Sequence, residues 1–434
     1  MPVPFVVEAQ DGAAPISGIK IYWTVTSGGG VLSADSSVTD ALGQASVNYT
    51  MGVTAGAQLV QARAVGLDGA DSTEVFTATA LAGGFPYQVG QVPIVENYGI
   101  HDTFVRDGLA FVCAWDEGVQ IYDVGNGIKG GSPSNPVLVS SIKTAGGQSH
   151  NAWWFHNPVT GEKKYLFVGE EGPANIPTMA SGDIHVVDVS NLAAPVEVAS
   201  FSIPGAGTHN FWMDEANQVL FAAYYNGGVV AIDVSGTLTG NLASREIDRI
   251  APAAQTFMWG VQQVNGSLYA SDMLGGLWQL GFDGSSLSVA GGGGNVPERY
   301  SSDLWIHGGY GYTGTWYFRG NTPGNALKVW QLDQGGAPVL EDSIIVANIG
   351  TVSDVEVSAD GKLLMFGGER GSSSGFHFYS LADPAHPAFV AKFVVPSGIH
   401  TASFATIGGR LYAFGAKDPG GAQLVVLDVT GLVP

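Results

Sequence analysis

HNFWMDEANQVLFAAYYNGGVVAIDV, residues 209–234, decides the fold. It reads as three short apolar strands joined by the turn-forming stretches DEANQ and NGG. The pattern returns along most of the chain. HDTFVRDGLAFVCAWDEGVQIYDV (His101–Val124) and HNAWWFHNPVTGEKKYLFVGEEG…GDIHVVDV (His150–Val189) precede it. MWGVQQVNGSLYASDMLGGLWQLGF (Met258–Phe282) and SDLWIHGGYGYTGTWYF…ALKVWQL (Ser302–Leu332) follow. SDVEVSADGKLLMFGGERGSSSGFHFYSL (Ser353–Leu381) and HTASFATIGGRLYAFGAKDPGGAQLVVLDV (His400–Val429) complete seven units. A period of about fifty residues marks a propeller or a similar array.

A fourth strand follows several units, as in NPVLVSSIK (Asn135–Lys143), APVEVASFS (Ala194–Ser202) and HPAFVAKFV (His386–Val394). The last unit has none, and PYQVGQVPI (Pro86–Ile94) stands unused before the first. A strand lent from one end of the array to the other closes a ring and removes its open edges. The pattern therefore predicts an all-β protein with a seven-bladed β-propeller over residues 82–434, residues 86–94 supplying the outer strand of the last blade.

Residues 1–81 alternate differently, in IKIYWTVTS, QASVNYTMG, AQLVQARAV and TEVFTATAL, and predict a small β-sandwich. GIKIYWTVTSGGGVLSADSSVTDALGQASVNYT (Gly18–Thr50) resembles the bacterial immunoglobulin-like modules of the invasin and intimin type. That resemblance implies a stalk or spacer at a bacterial surface.

Composition narrows the partners. The net charge is −21, from 17 basic and 38 acidic residues, so the cationic clusters that bind phosphate backbones or anionic membranes are missing. No apolar run is long enough to span a bilayer, and neither nucleic acid nor membrane insertion is expected. With 63 glycines and 13% charged residues, turns and strands are favoured over helices. The single cysteine, Cys113, sits in the apolar AFVCAWD and is expected to be a buried, inert thiol. MPVPFVVEAQ lacks the form of a signal peptide and is expected to lie within a longer precursor.

The third-strand endings IYDV, VVDV, AIDV and VLDV, with SNLAAPVEV after one of them, resemble the LVIVD-repeat propellers of exported bacterial proteins. The resemblance implies a secreted or cell-surface location and covers residues 82–434. Asp123, Asp188, Asp233 and Asp428 close those strands, a place where aspartate caps turns by accepting backbone N–H bonds.

The chemistry lies in the histidines. His101, His150, His209 and His400 occupy the same slot, at the start of the innermost strand in four units that are consecutive around a closed ring. Met258, Ser302 and Ser353 fill the slot elsewhere; Asp102, Asn151, Asn210, Asp303 and Asp354 follow it. Four imidazoles on one arc, with no thiolate, predict one transition-metal ion, Fe, Cu or Zn. Of the loops reaching the same mouth, Glu170, Asp272 and Glu369 are expected as acid/base or metal-supporting groups. The arrangement is similar to the four axial histidines and backing carboxylates of carotenoid-cleaving oxygenases, which are propellers too. Most tryptophans are expected between blades, with Trp259 and Trp316 near the mouth. The expected function is metal-dependent oxidation or hydrolysis of a small substrate. The alternative is a non-catalytic surface module that binds a glycan or protein.

Overall fold

The structure is a computed structural model describing residues 4–51, 56–65, 73–80, 84–95, 99–172, 174–332, 336–417 and 421–432. The fold is all-β, the only helices among the described residues being single 3-10 turns such as Ala243–Arg245. No helix is long and apolar enough to cross a membrane. The chain divides into two compact units, Met1–Phe85 and Pro86–Val433. The boundary read from the sequence at 81–82 lies outside the described residues.

In the first unit Lys20–Ser27 pairs with Gly56–Ala64 and Ser36–Val38, and Thr73–Ala80 extends the sheet. Phe5–Glu8 pairs separately with Gln44–Val47. Every second residue of KIYWTVTS turns inward, so Ile21 and Trp23 are buried while Lys20 and Tyr22 are exposed. They meet Ala45, Val47, Val60 and Ala62 in one core.

The second unit is propeller-like. Among its described residues, four-stranded antiparallel sets recur in one order, one of them extended by a parallel fifth strand, Gly240–Asn241, and two of them joined in a single eight-stranded sheet. The first set is Asp102–Arg106, Leu109–Cys113, Val119–Asp123 and Val137–Ile142. The last is Thr401–Ile407, Arg410–Lys417 and Gln423–Asp428, with Tyr87–Pro93 paired to Gln423–Asp428 as its fourth strand. In every set the register slips by one residue between third and fourth strands, as at Ile121/Tyr122 and Val186/Val187. A bulge there bends and twists the outer strand.

The sets are held to one another by apolar side chains. Each cluster draws on two neighbouring sets: Phe111 and Val119 meet Trp154 and Leu166, and Phe167 and Ile184 meet Phe211 and Leu220. The series continues until Val112 and Tyr122 of the first set meet Phe414 and Leu424 of the last. This is why the second strands read as unbroken apolar runs: LAFVC and VLFAA are buried on both faces. Burying a side chain such as Phe221 contributes about 1.5–3 kcal/mol. Truncating it to alanine costs about 3–5 kcal/mol, since neighbours fill the hole only partly.

The third-strand aspartates serve the turns. Asp123 accepts backbone N–H bonds from Gly125, Asn126, Gly127, Lys129 and Gly131. Asp188, Asp233 and Asp428 accept from Ser190, Ser235 and Thr430.

Candidate metal centre

The N–H groups of His101, His209 and His400 donate to the carbonyls of Cys113, Ala223 and Ala416, the matching residues of three second strands. His150 reaches its place through a register slip between Ser149 and Asn151. The backbone therefore sets the four imidazoles in one row. Ring centroids are 4.5 Å apart for His101 and His400, 5.3 Å for His101 and His150, and 4.1 Å for His150 and His209. His150, His209 and His400 are buried, and the His101 side chain is 15% exposed.

A carboxylate completes the row. Glu171 Oε2 lies 3.7 Å from His101 Nε2 and 3.6 Å from His150 Nε2. Its other oxygen accepts a 2.5 Å hydrogen bond from the Tyr225 hydroxyl. Ligand-type atoms of His101, His150 and His400 lie within 4.8 Å of one another, as do those of His150, Glu171 and His209. The remaining nitrogens are oriented from outside. His209 Nδ1 donates to the Trp259 carbonyl at 2.7 Å, leaving Nε2 as the lone-pair nitrogen. His400 Nδ1 faces Glu369 Oε1 at 3.0 Å. Among the described residues, neither ring nitrogen of buried His150 has a hydrogen-bond partner.

Burial, reinforced by the neighbouring imidazoles, holds the pKa values of His101, His150 and His209 well below the usual histidine range. These rings are neutral, the form that binds metals. Burial raises the pKa of Glu171 against the opposing pull of Tyr225 and His400, and that of Tyr225 is pushed well up.

Strand register decides which loop residues reach the site. Trp115, Glu171, Tyr225, Met273, Trp316 and Glu369 follow equivalent second-strand ends: Ser149 pairs with Glu170, Ser301 with Thr315 and Val352 with Gly368. The tilted Trp115 and His101 rings are 4.2 Å apart, Trp259 stands 4.2 Å from His209, and Trp316 meets His400 edge-on at 5.5 Å. Trp115 and Tyr225 hold φ of 44° and 35°, a left-handed conformation that bulky residues rarely adopt. Above the row opens a cavity of about 260 Å³, walled by Ile176, Tyr225, Phe257, Trp259, Met273 and Trp316, with Arg370 on its lining.

Of the three carboxylates expected at this mouth, the structure brings only Glu369 to the histidines. Glu170 points the other way along the strand, as adjacent residues must, and meets His185 Nε2 at 3.4 Å. Asp272 accepts from the backbone N–H groups of Phe257 and Leu274 and from Thr256 and Trp278. Glu171, hydrogen-bonded by Tyr225, is the carboxylate that reaches His101 and His150. Trp259 and Trp316 lie at the mouth and Trp154 between sets, whereas Trp153 and Trp305 line the interior channel. Cys113 is buried away from the site in a core between sets.

The family model for the LVIVD repeat matches residues 179–202. These residues include the third and fourth strands of the second set. No curated protein matches the chain. Among solved structures the computationally designed Ika8 protein aligns at 10% identity and a TM-score of 0.48, covering 78% of this chain and 98% of its own. That likeness is too slight to bear on function.

Proposed function

We propose that the second unit is a seven-bladed β-propeller that holds one transition-metal ion at its axial mouth and acts on a small substrate there. His101, His150, His209 and His400 are the nitrogen donors and Glu171 the oxygen donor. The spacing of Glu171 carries this reading. Its separations of 3.6 and 3.7 Å from two imidazole nitrogens are too long for hydrogen bonds. They are close to the edge of a coordination polyhedron, roughly 3.4 Å for metal–ligand bonds of about 2.1 Å. A buried histidine with neither nitrogen hydrogen-bonded supports it as well, since a buried polar group is costly without a partner.

A donor set of imidazole and carboxylate without thiolate suits Zn, Fe or Cu. The ion supplies Lewis-acid or redox chemistry to an oxygen of the substrate or of water. The chain supplies the rest. Trp259, Trp316 and Phe257 favour an apolar or aromatic small molecule over a charged one. The Tyr225–Glu171 hydrogen bond places a proton beside the reacting position. Glu369 fixes the orientation of His400, as a supporting carboxylate does for a metal-bound histidine. We assign the reaction to oxidation or hydrolysis. The first unit we read as an immunoglobulin-like stalk module on a secreted or cell-surface bacterial protein.

Elemental analysis of untagged protein, beside a folded His150→Ala/His209→Ala variant, tests the site. About one equivalent of Fe, Cu or Zn, lost in the variant, is expected. No metal in either after reconstitution overturns the reading and leaves the mouth as a glycan- or protein-binding surface.

A further inference from the structure

Deeper in the second unit the channel opens into a second chamber, of about 190 Å³. A cavity of about 150 Å³ suffices for a benzene molecule, so this one admits a small organic ligand. Its aromatic lining comes from the first strands of successive sets. Phe104, Trp153, Trp212 and Trp305 form an arc with centroid separations of 5.3, 5.4 and 6.4 Å, and all four residues are partly exposed. Phe404 stands in the same lining.

Four carboxyl groups face this chamber: Asp102, Asp303, Asp354 and Glu356. Amide groups position each of them, the Thr401 side chain also bonds Asp102, and Asp303 and Asp354 share a hydrogen bond with each other. Phe404 N donates to Glu356 at 3.1 Å, Ala402 N to Asp354 at 2.8 Å, Asn210 Nδ2 to Asp303 at 2.7 Å and Thr103 N to Asp102 at 2.7 Å. Among the described residues no lysine, arginine or histidine lines the chamber. Glu215 shows the contrast: it receives the Trp153 indole N–H and is neutralised by Arg106 at 2.5 Å. Buried carboxylates without a basic partner are stabilised by a cation, and aromatic faces arranged around a cavity favour one that is large and weakly hydrated.

We propose that this chamber binds a small organic cation of the methylated or quaternary ammonium class, seated on the indole faces of Trp153, Trp212 and Trp305 with Glu356 as counter-charge. An ammonium within about 6 Å of several ring centroids gains from each face, whereas a hydrated metal ion would have to shed its water against apolar walls. The net charge of −21 adds attraction at long range. The site does not depend on the metal centre.

Titration of the full-length protein with choline and with its uncharged carbon isostere, 3,3-dimethylbutan-1-ol, tests the proposal by calorimetry and tryptophan fluorescence. Choline is expected to bind saturably at one equivalent, and the isostere about tenfold more weakly or worse. Glu356→Gln and Trp212→Leu should each weaken choline by about tenfold, and Trp212→Phe should recover part of that loss. Absence of saturable choline binding, equal binding of the isostere, or a Glu356→Gln protein that binds like wild type overturns the proposal. If Trp212→Leu does not fold, the isostere comparison and Glu356→Gln decide it.

Discussion

The Tyr225 hydroxyl holds one oxygen of Glu171 at 2.5 Å and leaves the other facing His101 and His150. The phenol comes from the third set, the carboxylate from the second and one of the imidazoles from the first. One hydrogen bond thus ties groups of three sets together. Tyr225→Phe removes it without changing the ring. Metal affinity, measured by chelator competition, should fall about 10–100-fold, the usual effect of losing a partner that orients a ligand. Glu171→Gln should cost more, because it also removes the negative charge.

Glu369→Gln tests the support of His400 in the same way. The amide keeps the shape, but it lacks the charge that raises imidazole basicity. A loss of about tenfold in metal affinity is expected, with thermal stability nearly unchanged. An unchanged affinity would separate Glu369 from the metal site.

Glu170→Gln, one residue from Glu171, should behave quite differently. Glu170 and Glu197 hydrogen-bond the two nitrogens of His185, at 3.4 and 2.8 Å. Burial opposes protonation of His185, but these two bonds outweigh it and raise its pKa. A raised pKa contributes stability that is fully present below the unfolded value of about 6.5 and is lost as pH rises through the folded value. Glu170→Gln should therefore cost about 1–3 kcal/mol at pH 5 and less at pH 8, by urea denaturation, with metal content intact.

The confusion between Glu170 and Glu171 shows what was legible. The recurring strands, their turns and the histidine slot are periodic features that a single chain displays. Which of two adjacent glutamates faces the four histidines depends on register, and a shift of one residue reverses the face. The signal was present: aligning LFVGEE with LFAAYY sets Glu171 against Tyr225 and Glu170 against Tyr224. The channel-facing tryptophans were hidden for another reason. Trp153 and Trp154 are neighbours, so one must face the channel when the other enters the core, and composition favours the core for both.

The strand Tyr87–Pro93 is seated by a tight fit at Gly90. A Cβ built there would lie 2.3 Å from the Pro133 carbonyl oxygen, a backbone atom that cannot turn aside. Gly90 follows the register slip in the strand Tyr87–Pro93 that completes the last set. Gly90→Ala should push this strand away and cost about 1–3 kcal/mol. The freed edge should also raise aggregation on heating. Light scattering during a thermal melt would show both, and a Gly90→Ala protein that melts and scatters like wild type would overturn this reading.

Asp123 gives the acid limb of stability. Burial raises its pKa, yet the N–H groups of Lys129, Gly125, Gly127 and Gly131 outweigh that and hold it at about 2. A depressed carboxyl contributes stability that is present above its unfolded pKa of about 3.9 and is lost as pH falls through the folded value. Wild-type stability should thus decline between pH 4 and 2 with a component that Asp123→Ala lacks. The variant should cost about 2–3 kcal/mol at pH 7, since several backbone donors of the turn lose a charged acceptor. Its deficit should shrink toward pH 2. Urea melts across that range would check this, and a deficit constant with pH would show that the aspartate acts through its shape and not its charge.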